Sequence, residues 1–409
     1  MDRASTSDAG PRRSPSQCLG VYQDGPFQKI ERDGRTMLAP DPADAPFLRF
    51  VSEVGDRFGS LAIFARLVEP GPEDGRTPMP PRTEIIALPD YGNLRHVGSV
   101  ARAGLRTAAA FWRGLAAVDV VWAFGPHPFE LLLTLLASVR GKRVVLGVRQ
   151  DTPAYFRARL PSGRWKPVLG AVQAMDAFHR VLARRLPATV VGEANARRYA
   201  RGRSQVLLMQ PTLVRATDVV DAPPERDWTS TIGLLTVGRI DAEKNPLLLV
   251  EAIAKLERRL PGQFRLLWVG IGPLSVDVDR LAAELGVEDR IEMLGYVPFG
   301  PDLLGLYRDA HAFVHVSLTE GAPQVLVEAL ASGTPIVATD VGGVRAALDG
   351  GGAGLLVPPS DAEALAAAVL RLADDSALRS RLIAHGLELA RTRTLEVEAA
   401  RVADFLRDA

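Results

Sequence analysis

Glu320 and Glu328 stand eight positions apart in SLTEGAPQVLVEALASGTPIVATDVGG, residues 317–343. Glu320 is followed by Gly321, Ala322 and Pro323, which places it in a loop, whereas Glu328 falls in an apolar run with helical spacing. Pro323 suits the first turn of a helix over 323–332. The N-terminus of such a helix, with unpaired N–H groups and a partial positive charge, is a ready site for a diphosphate. Glu328 lies about 7.5 Å further along the axis, where a carboxylate can accept hydrogen bonds from the two hydroxyls of a ribose. Glu320 then faces the other end of the same ligand, a sugar. The two acids are spaced to hold two ends of one molecule.

Cations and glycines accompany them. LLTVGRIDAEKNP is a strand ending in Gly238, followed by Arg239 and Lys244 before a helix that Pro246 opens. Glycine allows close backbone approach, and two cations at a strand end suit a pyrophosphate. LLWVGIGPL is a second strand, ending in Gly270 and Gly272. In WAFGPHPFE and RVVLGVRQDTP, His127 and Asp151 stand at strand ends where they can contact a donor or an acceptor. His96, His179, His311 and His315 read as surface or packing positions. Asp277 and Asp279 form an Asp-x-Asp pair, but at a helix start, where acids favour the first turn, and no metal site is expected there.

Short apolar runs alternate with helical patterns along the chain, which predicts parallel sheets built from βαβ units. In the first half the strands fall at 19–23, 60–68, 83–89, 118–125, 143–150, 188–193 and 205–210, with helices such as 97–115 and 129–138 between them. PGPEDGRTPMPPR, residues 70–82, reads as a loop. Alternation lapses at 212–228, the expected linker, and resumes with strands at 231–238, 264–270, 290–296, 312–317, 335–340 and 354–358. Helices separate these strands, and three more are expected near 361–373, 375–391 and 394–408. The expected division is a disordered lead over 1–18, an acceptor-binding domain over 19–211, the linker, a nucleotide-sugar domain over 229–390, and a C-terminal helix in 391–409 that packs back on the first domain.

The 409 residues suffice for two domains, and the 47% hydrophobic content is ordinary for a globular protein. The polar opening lacks the apolar centre of a signal peptide, and no apolar run reaches eighteen residues. Cys18 is the only cysteine, so neither an intrachain disulfide nor a cysteine metal cluster can form. A cytoplasmic protein is expected. The net charge of +1 conceals an imbalance: residues 1–213 hold 30 Lys and Arg against 19 Asp and Glu, the remainder 19 against 29. The basic half, notably FRARLPSGRWKP (156–167) and the helix expected over 168–186, suits peripheral contact with the anionic inner face of a membrane. No nucleic-acid-binding motif is present.

SLTEGAPQVLVEALASGTPIVATDVGG resembles the Glu-x7-Glu segment of retaining family 4 glycosyltransferases (glycosyl transferases group 1). VGRIDAEKNP is similar to the family's Gly-Arg…Lys segment, VGIGPL to its Val-Gly-x-Gly-Pro segment, and RIEMLGYVP to the strand and loop that line the donor base. The resemblance is specific over about residues 231–360. It implies the GT-B fold, α/β, with two doubly wound Rossmann-like domains facing each other across a cleft. It also implies transfer of a hexose from a nucleotide diphosphate sugar, UDP- or GDP-linked, to an acceptor hydroxyl, without cofactor or obligatory metal. By resemblance, Arg239 and Lys244 neutralise the diphosphate, Glu320 meets the transferred sugar and Glu328 the ribose. Gly238, Gly270, Tyr296, Val297, Gly321, Ala322, Pro323, Gln324 and Val325 line the donor. Two departures stand in the first half: a single Gly25 beside Asp24 and Pro26 where relatives carry a glycine-rich loop, and Arg149, Gln150 and Asp151 where they carry a strand-end histidine. The alternative these leave is a non-catalytic nucleotide- or carbohydrate-binding module on the same fold.

Overall fold

The computed structural model describes residues 17–32, 35–39, 45–68, 77–80, 82–90, 97–153, 156, 166–200 and 205–409. Residues 1–16 of the expected lead, 70–76 and 81 of the proline-rich loop, His96, and 157–165 of the basic stretch lie outside the described residues. The chain forms two compact units, Met1–Val191 with Asn195–Met209 and Glu398–Ala409, and Gln210–Val397 with Gly192–Ala194. The segment 212–228 thus clusters with the second unit, and the helix Leu395–Asp408 begins in the second unit and ends in the first.

The first unit is built on β1 (Cys18–Arg32), β2 (Arg35–Ala39), β3 (Ser60–Leu67), β4 (Thr77–Pro78), β5 (Thr83–Leu88), β6 (Val120–Gly125), β7 (Arg143–Val148), β8 (Ala188–Val191) and β9 (Val206–Met209). Seven of them are parallel, in the order β5-β3-β1-β6-β7-β8-β9, and β2 and β4 extend from β1 antiparallel. The chain moves one way from β1 to β3 and β5 and the other way from β6, so the order reverses between β1 and β6. Such a switch point is where doubly wound sheets bind ligands.

Several elements differ from expectation. The strand expected over 19–23 runs on to Arg32: after a bulge between Tyr22 and Pro26 it rejoins β3, with Pro26 opposite Arg66. Asp24-Gly25-Pro26 marks the bulge, a place where a residue without an N–H is tolerated. Cys18, assigned to the lead, opens β1, its N–H donating to Asp119 Oδ2 at 2.8 Å. Thr77 and Pro78, assigned to a loop, pair with β2. The helix Ala45–Gly55 was not anticipated; it buries Phe47, Leu48, Phe50, Val51 and Val54. β7 stops at Val148 rather than Gln150, because Arg149 leaves the ladder and lays its guanidinium 4.0 Å over the Phe47 ring.

The second unit carries β10 (Ile232–Val237), β11 (Phe264–Val269), β12 (Ile291–Gly295), β13 (Ala312–His315), β14 (Ile336–Thr339) and β15 (Leu355–Val357). All are parallel, in the order β12-β11-β10-β13-β14-β15, with the switch point between β10 and β13. Helices Pro246–Arg259, Ser275–Leu285, Pro301–Asp309 and Gln324–Ala331 connect them. Helices Ala362–Asp374 and Ser376–Arg391 each start at an Asp whose carboxylate accepts a backbone N–H three residues on, at 2.9 and 2.8 Å.

Arg226 ties the far ends of two of these helices. Its guanidinium donates to the carbonyls of Arg308 and Gly333, both at 3.0 Å, and to Thr334 Oγ1 at 3.2 Å. These are carbonyls left unpaired at helix C-termini, where a cation is also favoured by the helix dipole. Burial lowers the Arg226 pKa to about 10, against the pull of Asp309. Arg226→Met should cost about 3 kcal/mol in denaturant unfolding, since three part-buried acceptors lose their donor. A loss below about 1 kcal/mol would show that water replaces the guanidinium and that the two helices do not depend on it.

Candidate functional site

The carboxyl ends of β10, β11 and β12 are held together past the end of the ladder. Gly238 N–H donates to Val269 O at 2.9 Å, Gly270 N–H to Gly295 O at 2.7 Å, and Ile240 N–H to Ile271 O at 3.1 Å. A Cβ at Gly270 would lie 1.9 Å from Gly238 O, and one at Gly272 would lie 2.2 Å from Ile240 O. Both glycines are therefore required by the protein's own backbone. A Cβ at Gly238 would meet nothing within 4 Å, so its clear side faces open space.

Across the switch point, β13 delivers the acidic loop. His315, its last residue, and Ser317 alternate onto one face, as residues two apart on an extended chain do. Ser317 is locked to the neighbouring strand: its N–H donates to Thr339 Oγ1 at 2.9 Å, and Thr339 Oγ1 donates to Ser317 O at 3.0 Å. The Ser317 hydroxyl then donates to Glu320 Oε1 at 2.7 Å, and His315 Nε2 donates to the same oxygen at 3.0 Å. The Lys244 ammonium completes the set with an ion pair to Oε1. One carboxylate oxygen thus receives three donors, and Oε2 makes no hydrogen bond among the described residues. Burial opposes ionisation of Glu320, but the His315 hydrogen bond and the Lys244 charge outweigh it and hold the pKa at about 2.

The backbone of this loop is fixed from behind. Gly343 N–H donates to Glu320 O at 3.1 Å, and Leu318 N–H donates to Glu243 O at 2.8 Å. A Cβ at Gly342 would stand 2.0 Å from Glu320 O, and one at Gly343 would stand 2.1 Å from Gly321 O. The Gly-Gly pair is needed for this contact.

The helix that follows runs Gln324–Ala331, one residue shorter at each end than expected. Pro323 is its N-cap, extended at φ −73° and ψ 103°, rather than a residue of the first turn. No side chain caps this end, which leaves the Gln324 and Val325 amides for another acceptor. Glu328 is buried, and Tyr307 donates its hydroxyl to Glu328 Oε2 at 2.9 Å. Burial raises the Glu328 pKa to about 7, against the opposite pull of the Tyr307 hydrogen bond, and burial with Glu328 pushes the Tyr307 phenol up. Two glutamates on one loop and helix are thus held differently: the first ionised far below neutral pH, the second near its midpoint at neutral pH.

The structure brings Lys244 and Glu320 together with His315, which had been read as a surface or packing residue. His315 is buried, stacked on Phe313, so the packing half of that reading stands, and its Nε2 hydrogen bond to Glu320 adds a polar contact that the reading did not include. Its position two residues before Ser317 at a strand end was the available signal. Arg239 is not in this cluster; it is exposed and pairs with Asp241 at 3.0 Å and Glu243 at 3.6 Å. Tyr296, beyond β12, has an exposed ring, and Val297 packs into the core.

His127 and Asp151 belong to the first unit. His127 is the N-cap of helix Pro128–Val139: Phe129 N–H donates to its Nδ1 at 3.3 Å. Tyr22 OH lies 3.3 Å from the same nitrogen, and Nε2 is 3.4 Å from Asp24 Oδ2. Burial lowers the His127 pKa, which favours the neutral ring that the cap requires, while Asp24 and Glu130 act in the opposite direction. His127 and Asp24 therefore stand together at this sheet's switch point. Asp151 is ion-paired to Arg198, which also donates to Asp176 at 2.8 Å. Asp277 pairs with Arg280 at 2.9 Å, and no group of three potential metal ligands occurs among the described residues.

Residues 229–388 match the family model for glycosyl transferases group 1. A D-inositol 3-phosphate glycosyltransferase from Corynebacterium glutamicum is 35% identical over 178 residues, 42% of this chain and 42% of that protein. An alpha-D-kanosaminyltransferase from Streptomyces kanamyceticus is 35% identical over 151 residues, 36% of this chain and 38% of that one. The chain therefore spans less than half the length of these curated relatives. Among solved structures, Anabaena HepE in complex with UDP aligns with 96% of this chain and 100% of its own, with a TM-score of 0.69 and 16% identity. Sucrose-phosphate synthase from Thermosynechococcus elongatus aligns with 96% of this chain and 98% of its own, with a TM-score of 0.67 and 20% identity. At these identities the likeness shows the fold, the two-domain α/β GT-B architecture.

The buried glutamate has a measurable consequence. A carboxyl whose pKa rises from 4.5 to about 7 on folding stabilises the protein below pH 4.5, and that contribution is lost as pH rises through 7. Between pH 5 and 8 the wild type should therefore lose about 2–3 kcal/mol relative to Glu328→Gln in denaturant unfolding. Parallel pH dependence in the two proteins would contradict the buried, proton-holding Glu328.

Proposed function

We propose, on the premise that residues 229–388 belong to the glycosyl transferases group 1 family, that this protein transfers a hexose from a nucleotide diphosphate sugar to an acceptor hydroxyl with retention of configuration. The observation that carries the reading is the single Glu320 oxygen held by Lys244, His315 and Ser317 at the carboxyl end of β13. Three donors on Oε1 leave Oε2 as the acceptor for a sugar hydroxyl.

The donor's parts fall to residues in order. The uncapped Gln324 and Val325 N–H groups donate to the diphosphate, with Lys244 and Arg239, the latter leaving its pairs with Asp241 and Glu243, supplying positive charge. Glu328 accepts the ribose hydroxyls through the oxygen that Tyr307 does not use. Tyr296 and Val297 flank the base. In the reaction, the bond between the anomeric carbon and the diphosphate oxygen breaks, and its electron pair leaves on the diphosphate. The acceptor oxygen bonds the same carbon on the same face, and its proton passes to the departing phosphate oxygen. Rate is gained by cations and helix amides already aimed at the oxygen where charge develops. These groups supply the neutralisation without an obligatory metal. UDP or GDP is the expected carrier, and the position of the enzyme is cytoplasmic, against an anionic membrane surface. The acceptor contacts fall to the first unit, where His127 and Asp151 are the candidates.

A second reading, a non-catalytic binding module, is favoured by the end of β7, where Arg149 stacks on Phe47 and Asp151 is paired to Arg198.

Calorimetric titration with UDP, GDP, ADP and dTDP in EDTA separates these readings from failure of both. Micromolar binding of one nucleotide, weakened in Arg239→Ala, supports the donor site; no binding to any of them defeats it. With the donor known, Glu320→Ala should abolish transfer while nucleotide affinity survives, and full activity in that variant overturns the assignment. His315→Leu should lower kcat about 10- to 100-fold, the worth of one hydrogen bond to a charged group, with nucleotide affinity unchanged. His315→Gln, which keeps a donor, should recover part of that loss. An equal fall in nucleotide affinity would show that His315 serves folding of the loop instead.

A further inference from the structure

The helices of the first unit carry a surface that catalysis does not use. Helix Val97–Gly114 connects β5 to β6, Pro128–Val139 connects β6 to β7, and Lys166–Leu182 connects β7 to β8. Each connection advances in the same direction across the sheet, so right-handed crossovers place all three on one face. Their inner sides share one core, including Phe111, Phe129 and Leu133, with Leu182 packed against it. They form one continuous layer with one outer side.

That outer side is unusual in two respects. The first helix has no acidic residue, and the sole acids of the other two, Glu130 and Asp176, are buried. Glu130 accepts from Thr134 Oγ1 at 2.9 Å and faces His179, while Asp176 receives Arg180 and Arg198. The exterior of the three helices is therefore free of negative charge, and it carries Arg106 and Arg113. Large apolar side chains stand out among them: Leu105 is 78% exposed, Val139 69% and Leu135 60%, with Trp112 close by. Leu105 and Trp112 are seven residues apart, and Leu135 and Val139 are four apart, so each pair lies on one side of its helix. The two helices pack together, and the Arg140 guanidinium lies 4.1 Å over the Trp112 ring, joining the pairs into one patch.

We propose that this outer face, centred on Leu105, Trp112, Leu135 and Val139, docks on an anionic lipid bilayer. Charge decides the occupant. A second copy of the chain would set arginine against arginine across an acid-free contact, which repels. An anionic bilayer supplies the missing negative charge, takes the aliphatic side chains into its interfacial zone, and suits tryptophan and arginine at headgroup depth. The inference deepens the membrane position proposed above by naming the face that makes it; it does not rest on the transfer reaction, so failure of a transfer assay and failure of membrane binding are distinguishable.

The test is flotation of the full chain with vesicles of phosphatidylcholine alone and of phosphatidylcholine mixed with phosphatidylglycerol. Wild type should bind the mixed vesicles, release them at high salt and ignore phosphatidylcholine alone. Arg106→Gln with Arg113→Gln should lower partitioning on the order of 30-fold, from two lost surface cations. Leu135→Glu with Val139→Glu should abolish it while leaving the thermal transition in place. Three results would overturn the proposal. One is wild type that ignores both vesicles. Another is anionic binding that survives both paired variants, which would place the contact elsewhere. The third is a wild-type dimer that Leu135→Glu with Val139→Glu dissociates, which would give the face to a second copy. The arginine pair, exposed and outside the core, keeps the test valid if the glutamate pair does not fold.

Discussion

One carboxylate oxygen organises the second unit's site. Glu320 Oε1 takes a hydroxyl from Ser317, an imidazole N–H from His315 and the ammonium of Lys244. A buried carboxylate with fewer partners would pick up a proton, because burial disfavours its charged form. With three donors it remains ionised far below neutral pH and has one preferred orientation. The surrounding structure serves that arrangement. Thr339 fixes Ser317, the backbone of Gly343 fixes Glu320, and the absence of side chains at Gly342 and Gly343 lets two backbone segments meet.

The second glutamate is treated in the opposite way. Among the described residues Glu328 has one hydrogen-bond donor, Tyr307, and burial raises its pKa to about 7. A charged acid on the loop and a proton-holding acid on the helix differentiate the two ends of this segment. Between them lies the uncapped helix start, and at the far end of the same helix Arg226 holds Gly333 O. Anion affinity at one terminus and a cation at the other both follow from the direction of the helix dipole.

Most of the fold was legible in the sequence because its signals are periodic. Alternation of apolar strands with amphipathic helices located every strand of the second unit, and Pro246 and Pro301 stand at the first turns of their helices, where proline is tolerated. The irregular parts of the first unit were not legible. The bulge at Asp24-Gly25-Pro26 has the composition of a turn, and only the pairing of Pro26 with Arg66 shows that the strand continues. The site was read in part. The spacing of Glu320 and Glu328 about one helix start pointed to the acids, and the strand-end cations Arg239 and Lys244 were named with them; the structure brings only Lys244 of the two onto Glu320. His315 and Tyr307 were not found, since a histidine or tyrosine in an apolar run has the pattern of packing, and only the tertiary contacts to Glu320 and Glu328 distinguish them. Gly270 was named by resemblance among the donor-lining residues, and in the structure its missing Cβ is demanded by Gly238 O.

The central claim is that three donors keep Glu320 ionised far below neutral pH, whereas burial makes Glu328 hold its proton up to about pH 7. It is tested most directly by 13C NMR of protein labelled at the glutamate δ-carbon, followed between pH 8 and pH 4, with Glu320→Gln and Glu328→Gln to assign the two signals. The Glu320 signal should remain that of a carboxylate throughout, and the Glu328 signal should move to that of a carboxylic acid with a midpoint near 7. Two signals that titrate together near the ordinary value of 4.5 would contradict the account.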